Sequence, residues 1–423
     1  MRQGRRPWSE PPRSGIFVVV LLVPLLVLLG SFLGFDFGFD SGSRFGFGFD
    51  FGPGLGFGAG TAEASALQMS PPRAVASILV EPTTGEVLYE QNADLPRAPA
   101  SIAKLMLELI VLEKIQAGTL TLQEPIQVSA WASKIGGSQV YLAQGEVFPL
   151  EELLKAIVIH SANDACVAVA EHVAGSSEGF VDLMNIRAKE LGLENTRYVN
   201  VHGLDDQPGE GNVTTARDIS TIACRLVAMP HVLEWSSIQE TDFRNGEFKL
   251  TNTNKLLGRF AGLDGLKTGY TEKAGFCLCS TAQRNGLRLI SVVLGAESNR
   301  ARFDESARLL GAGFAQLRKV TVFEAGAPLP GGVRISGGRK EVVPAVAGAP
   351  LFLVLPERAP VPAPVLVPRK GLKAPIDQGD TLGTVEVHDS DGKVYAVPAL
   401  AAEAVGRATM FQWIGRLFSG GRK

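Results

Sequence analysis

Three short stretches of this sequence hold residue types that can do chemistry together. The first is Ser101-Ile102-Ala103-Lys104. On a helix, residues three apart share a face, so the Lys104 amine can reach the Ser101 hydroxyl. A serine is a weak nucleophile until a neighbouring base takes its proton. Lys104 can be that base if burial and nearby positive charge depress its pKa. Ser101 also falls at an expected helix N-terminus, where the positive end of the dipole favours developing negative charge. The second stretch is Ser161-Ala162-Asn163, 60 residues beyond Ser101. Its hydroxyl can relay a proton to a leaving amine, and the Asn163 amide can hold a lysine or a substrate amide. The third is Lys267-Thr268-Gly269, followed by Tyr270. On a strand, its ammonium and hydroxyl suit a carboxylate, and the missing side chain of Gly269 lets a substrate backbone approach. A peptide pairing along that strand would be held by β-augmentation. Each stretch also has a plain reading: a chance Ser-x-x-Lys, a helix cap, a turn with an exposed lysine. Their joint occurrence in this order is what points to function.

The surrounding sequence must position these groups. Ala74–Val80 and Val87–Tyr89, joined by a turn at 82–86, read as a hairpin. Ile102–Ala117 is apolar almost all round and stops at Gly118, as suits a helix inside a core. Leu150–Ile159 and Asp164–Val173 read as helices meeting at the polar break His160–Asn163. Phe180–Leu191 is amphipathic, and Thr215 with Asp218 resembles a capping box ahead of a helix that stops before Pro230. Leu263–Thr271, Ala274–Ala282 and Leu287–Gly295 read as adjacent strands, with a helix from Arg302 to Ala315. Strands, then helices, then strands favour an α+β layered fold over repeated parallel βαβ units. From Arg318 to Pro398 short β runs among many Gly, Pro and Val residues suggest a small all-β module. Met410, Phe411, Ile414, Leu417 and Phe418 then fall at helical spacing among Arg407, Arg416, Arg422 and Lys423. That composition fits either an interfacial membrane helix or a helix packed on its own protein.

The 423-residue chain is 45% hydrophobic and 20% charged with a net charge of −2, which gives no basic footprint for nucleic acid. Arg2, Arg5, Arg6 and Arg13 precede an uncharged apolar run, Ile16–Leu33, which directs export and is long enough to be kept as an anchor. Ala64-Ser65-Ala66 offers a cleavage site, and the Phe/Gly/Asp-rich tract from Gly34 reads as a low-complexity linker. The expected organisation is a signal peptide or anchor over 1–33, a linker over 34–73, a catalytic domain over 74–318, a β-rich domain over 319–402 and an amphipathic helix over 403–423. Cys166, Cys224, Cys277 and Cys279 are too few for a disulfide scaffold and read as small core residues, although export would permit pairing.

The three motifs resemble those of the low-molecular-mass penicillin-binding proteins that are serine-type D-alanyl-D-alanine carboxypeptidases, of the penicillin-binding protein 5/6 kind. The resemblance runs from Ala74 to the C-terminus. It includes Gly136-Gly137-Ser138-Gln139, Asn200-Val201-His202-Gly203-Leu204-Asp205, Thr214-Thr215-Ala216-Arg217-Asp218, Ala274-Gly275-Phe276 and Lys373-Ala374-Pro375-Ile376. It implies an antiparallel sheet flanked by helices, in the manner of the serine β-lactamases and transpeptidases. It also implies that Ser101 attacks the carbonyl between two terminal D-alanines with Lys104 as base and Ser161 as relay. Asn163, Lys267, Thr268, Gly269 and Tyr270 are then substrate-binding, and the backbone amides of Ser101 and Tyr270 form an oxyanion hole. Family position further nominates Arg302, beside Arg300, to grip the terminal carboxylate. The implied partners are peptidoglycan pentapeptide stems, β-lactams as acylating inhibitors, and a membrane surface met by the last helix on the extracytoplasmic face of the inner membrane. No metal and no cofactor is implied.

Four rival readings differ in what they need. A β-lactamase needs a glutamate for the deacylating water, and Glu190 and Glu194 lack the Glu-x-x-Leu-Asn setting. A zinc peptidase needs clustered ligands, and His160, His172, His202, His231 and His388 are scattered. A D,D-endopeptidase or a silent wall-binding protein would keep the same fold, although all three motifs are intact.

Overall fold

The computed structural model describes residues 73–205, 211–389 and 392–412. The apolar run, the Phe/Gly/Asp tract and the small-residue site of the N-terminal region lie outside these residues. So does the expected C-terminal helix beyond Gln412.

β1 (Ala76–Glu81) and β2 (Glu86–Gln91) form the expected hairpin. Ala100–Ala103 makes one 3₁₀ turn carrying Ser101, and α1 (Lys104–Gln116) continues from it. A short ladder of β3 (Pro125–Gln127) with β4 (Val147–Pro149) precedes α2 (Leu150–Lys155), which passes into a π-helical turn at Ala156–His160. Then come α3 (Asn163–Ala174), α4 (Ser177–Glu190), α5 (Ala216–Leu226) and α6 (Val232–Ser236). Thr215 caps α5 as its sequence predicts, its Oγ1 accepting from the Asp218 amide at 3.0 Å. The hairpin of β5 (Glu240–Phe243) and β6 (Phe248–Thr251) leads to β7 (Leu263–Thr271), β8 (Gly275–Arg284), β9 (Leu287–Ala296) and α7 (Asn299–Gln316).

The main sheet is antiparallel with strand order β2-β1-β9-β8-β7. Both its faces are buried, which is why its strands read as continuous apolar runs and not as alternating ones. Ile78, Val80, Val292 and Leu294 point into a core shared with α1, α3 and α5. Leu79, Leu289 and Val293 point the other way, against Leu309 and Leu310 of α7. α1 is buried from Lys104 through Leu112, so it is the inner helix of the larger core. At about 25 cal/mol per Å² of apolar surface removed from water, such a helix is held by packing more than by its own propensity.

The second region is all β. β10 (Leu317–Phe323), β11 (Pro328–Arg334), β12 (Val342–Ala347), β13 (Leu351–Pro356), β14 (Val365–Pro368), β15 (Thr381–His388) and β16 (Val394–Ala401) form two sheets. One pairs β10 with β13, and the other has the order β11-β12-β16-β15-β14. They enclose their own core of Val333, Val343, Leu353, Leu382, Val387 and Ala399. Bridges from Ile376 to Val405 and from Gly338 to Arg407 carry the pairing past residue 402. All four cysteines are free, with Cys166, Cys277 and Cys279 buried in the larger core. No helix among the described residues is long and apolar enough to cross a membrane.

Candidate active site

The Lys104 amine is the centre of the site. The side chain is buried, and Nζ lies 2.8 Å from Ser101 Oγ, 2.7 Å from Asn163 Oδ1 and 2.8 Å from the His202 carbonyl. A neutral amine has two protons and one lone pair. Asn163 Oδ1 and the His202 carbonyl can only accept, so they take the two protons and leave the lone pair facing Ser101 Oγ. Burial is the main cause that pulls the Lys104 pKa down from 10.5 to about 8, with Cys166 and Asp164 partly opposing it. At pH 7 roughly one lysine in ten is then already a free base.

The acceptors are fixed from behind. Asn163 Nδ2 donates to the Gly136 carbonyl at 2.7 Å, which determines which end of the amide faces the lysine. The Asn163 amide donates to Ser138 O at 2.7 Å, and Ser138 Oγ donates to His160 O at 2.8 Å. Asp164, fully buried, accepts from the amides of Val140 and Leu142 through Oδ2 at 3.1 and 3.0 Å, tying the 136–142 loop to the start of α3. His202 lies in a turn, in which Asn200 Oδ1 accepts from the Gly203 amide at 2.7 Å and Asn200 Nδ2 donates to the Leu204 carbonyl at 2.9 Å. Burial, then the charge of Lys104, push the His202 imidazole down to about 3, so it contributes a backbone oxygen to the site and no charge. Ser161 sits at the break itself, in the left-handed region at φ 68°, and Ala100, just before Ser101, does so at φ 48°. Non-glycine residues held there cost about 1–3 kcal/mol each, and such strain concentrates at functional sites.

β7 supplies the third side. Lys267 is buried and donates to the Thr268 carbonyl at 3.0 Å, while Thr268 Oγ1 donates to Thr253 Oγ1 at 2.7 Å. The Lys267 pKa is well below its ordinary value, first through burial and then through the charge of Lys104. Gly269 has a reason to be glycine within the fold itself. A Cβ there would lie 2.9 Å from the Pro99 carbonyl and 3.0 Å from the Ser101 amide nitrogen, so the serine's own turn approaches this position closely. This packing sets residues 269 and 270 beside Ser101. The Tyr270 ring is half exposed and stacks on Phe276 at 4.3 Å. Arg302 is nearly buried. It donates to the carbonyls of Gly269 at 2.8 Å and Cys277 at 3.2 Å and to Asn299 Oδ1 at 2.6 Å, so it braces β7 from below. Arg300 points to solvent and pairs with Asp304 at 3.3 Å, which leaves Arg302 as the arginine beside the third motif.

The structure thus gathers Ser101, Lys104 and Asn163 in one hydrogen-bonded group, with Ser161 adjoining and Lys267 through Tyr270 alongside. Ser161 Oγ has no hydrogen-bond partner among the described residues. Sequence reasoning missed the His202 carbonyl and the anchoring role of Asp164, although both lay in stretches singled out above. Gly137 tests the frame. It has φ 81°, and a Cβ there would come 2.5 Å from Asn163 Nδ2. Gly137→Ala is expected to displace the Asn163 amide and lower kcat by about a hundredfold, as misplacement of a catalytic group does. Steady-state kinetics on the variant, at a temperature where melting shows it folded, would check this, and a near-normal kcat would show that the amide does not hold the lysine.

A buried base whose lone pair faces a serine is suited to making an acyl-enzyme, so fold and site define a hydrolase of the serine acyl-transfer class. Residues 63–298 match the family described as D-alanyl-D-alanine carboxypeptidase, and residues 318–407 match the penicillin-binding protein 5 C-terminal domain. The D-alanyl-D-alanine carboxypeptidase DacF of Bacillus subtilis is 33% identical over 335 residues, 78% of this chain and 85% of that one. The crystal structure of penicillin binding protein 5 from Haemophilus influenzae has a TM-score of 0.69 at 29% identity, covering 80% of this chain and all of the other. Penicillin-binding protein D2 from Listeria monocytogenes, solved in an ampicillin-bound form, has a TM-score of 0.53 at 35% identity over 57% of this chain and 98% of that one. The chain belongs to the D-alanyl-D-alanine carboxypeptidase family of low-molecular-mass penicillin-binding proteins.

Proposed function

We propose that this enzyme removes the terminal D-alanine from peptidoglycan pentapeptide stems through an acyl-serine on Ser101. The observation that carries the proposal is the buried Lys104 Nζ, 2.8 Å from Ser101 Oγ. Lys104 takes the hydroxyl proton as Oγ bonds to the carbonyl carbon between the two D-alanines. The amides of Ser101 and Tyr270 receive the developing oxyanion. As the C–N bond breaks, the proton passes from Lys104 to the leaving amine, with the Ser161 hydroxyl as relay. D-Alanine departs, and water then cleaves the acyl-serine ester. Lys267 and Thr268 receive the substrate carboxylate, and Arg302 adds positive charge behind Gly269. A β-lactam, whose ring amide presents a similar carbonyl, acylates the same oxygen, as the ampicillin-bound relative supports.

The test is product analysis with the full chain in detergent. Free D-alanine from a pentapeptide ending in D-Ala-D-Ala is the expected result. Cleavage of cross-linked dimers without D-alanine release would move the reading to an endopeptidase, and fast penicillin turnover would move it to a β-lactamase. The reading of Lys104 predicts that kcat/KM rises with pH through about 8. We also place the enzyme outside the cytoplasmic membrane, on the strength of Arg2–Arg13 followed by Ile16–Leu33 and of the exposed Met410 and Phe411 near the C-terminal end. Protease added to intact spheroplasts should then degrade it, and full protection would overturn that placement.

A further inference from the structure

Glu108 lies on α1 one helical turn beyond Lys104, on the same face. It is 3% exposed, and its Oε1 has no hydrogen-bond partner among the described residues. A buried carboxyl oxygen left in this way costs about 1–3 kcal/mol, and leucine at this position of an inner helix would avoid that cost. The charged groups around it explain what the carboxyl can do. Lys267 on β7 is the charged group whose field reaches the carboxyl, with Cys166 on α3 and Cys279 on β8 as the other titratable neighbours; Lys104 on its own helix and Arg302 on α7 act in turn on Lys267. Two cationic groups, Lys104 and Arg302, therefore bear on the same buried Lys267. Lys104 and Arg302 both work against a proton on Lys267, and the groups that favour one are Cys166 and Glu108. Burial pushes the Cys166 thiol up to about 11, so it is neutral and supplies no charge. Among the described residues Lys267 makes one hydrogen bond, to the Thr268 carbonyl, and so retains donor capacity.

We infer that Glu108 is a positioning residue that acts through Lys267, its carboxylate being the counter-charge that keeps the Lys267 ammonium available to the substrate carboxylate. The inference rests on the reading of Lys267 as a carboxylate-binding group. One proton is distributed over the pair. On Glu108 it leaves both groups neutral, and on Lys267 it makes an ion pair of the same total charge. A substrate carboxylate beside Lys267 favours the second form, so binding draws the proton from the Glu108 carboxyl to the Lys267 amine. The pocket gains a cation where the substrate needs it without adding net charge in a low-dielectric interior.

The experiment compares wild type with Glu108→Gln, Glu108→Leu and Lys267→Met in full-length protein, after thermal melting has shown which are folded. D-Alanine release is measured from pH 5.5 to 10, on the pentapeptide and on its C-terminal amide. For the Glu108 variants the expected result is a KM about tenfold higher on the free acid, with kcat within about threefold. The alkaline limb of kcat/KM should move to lower pH by about one unit, the size of a tenfold effect. On the amide, the variants and wild type should differ little. A folded Gln or Leu variant with an unmoved limb, or with equal losses on acid and amide, overturns the inference. If Lys267→Met keeps a wild-type KM on the acid, the carboxylate-binding reading itself has failed. If Lys267→Met loses affinity and the Glu108 variants do not, the inference alone has failed.

Discussion

Replacing Ser101 by alanine is expected to lower D-alanine release by at least about 10⁴-fold, because the group that forms the covalent bond is gone. That loss corresponds to about 5.5 kcal/mol of transition-state stabilisation. The fold should not suffer. Ser101 is half-buried in a single 3₁₀ turn, and the contact removed is its one hydrogen bond with Lys104, worth about 1 kcal/mol. The oxyanion amides and the β7 strand stay in place, so substrate should still bind with a KM near that of wild type. Intact-mass measurement after incubation with a penicillin gives the decisive readout. Wild type should gain the mass of the ring-opened drug, and Ser101→Ala should gain nothing. An adduct on the variant would mean that another nucleophile is acylated.

The second large effect belongs to Lys104. Lys104→Arg keeps the positive charge but cannot give up a proton in this pH range, and Lys104→Met keeps neither charge nor base. Both should reduce acylation by about 10³–10⁴-fold, the upper range for a general base. The pH profile separates this from general damage. In wild type, the fraction of neutral Lys104 grows as pH rises through about 8, so the acid limb of kcat/KM should have its midpoint there. In both variants, residual acylation should lose that limb. The stability consequence has the opposite sign from the catalytic one. Because the folded pKa of Lys104 lies below its ordinary 10.5, burying the ammonium destabilises the fold at pH values under 8, and this cost fades as pH rises from 8 towards 10.5. Lys104→Met removes the cost but leaves Asn163 Oδ1 and the His202 carbonyl without their donor. The two changes oppose each other, so activity should collapse with little change in melting temperature.

Much of this site was legible because it is written in side chains at fixed intervals. Ser101 and Lys104 meet because they are three apart at a helix start. Asn163 meets Lys104 because a polar break interrupts two apolar helices. The strands β7 to β9 were legible from length and short turns, even though burial on both faces removed their alternation. Other parts carried no such signal. The His202 contribution is a carbonyl oxygen, which every residue possesses, so only the turn built by Asn200 reveals it. Asp164 looked like a neighbour of Asn163, and its hydrogen bonds to a loop some 22 residues earlier exist only in three dimensions. Glu108 was hidden by its surroundings, one acid in a run of buried apolar residues. The glycine of the third motif also makes room for the Pro99–Ser101 turn, which no spacing in the sequence announced. A sequence shows that a side chain is absent but not which neighbour fills the space.

The position of β7 in the sheet has a consequence for how the molecule behaves among other chains. It is the last strand in the order, so one side of its backbone has no partner within the sheet. The opposite edge, β2, is only six residues long, carries Glu86 and Glu90, and has Glu90 paired with Arg217. Charge and shortness are the usual defences of an edge against joining another extended chain. β7 is nine residues long, and its one lysine is buried beneath the strand, where it cannot repel a newcomer. The sheet thus guards one edge with charge and leaves without it the edge along which we propose that the substrate peptide lies.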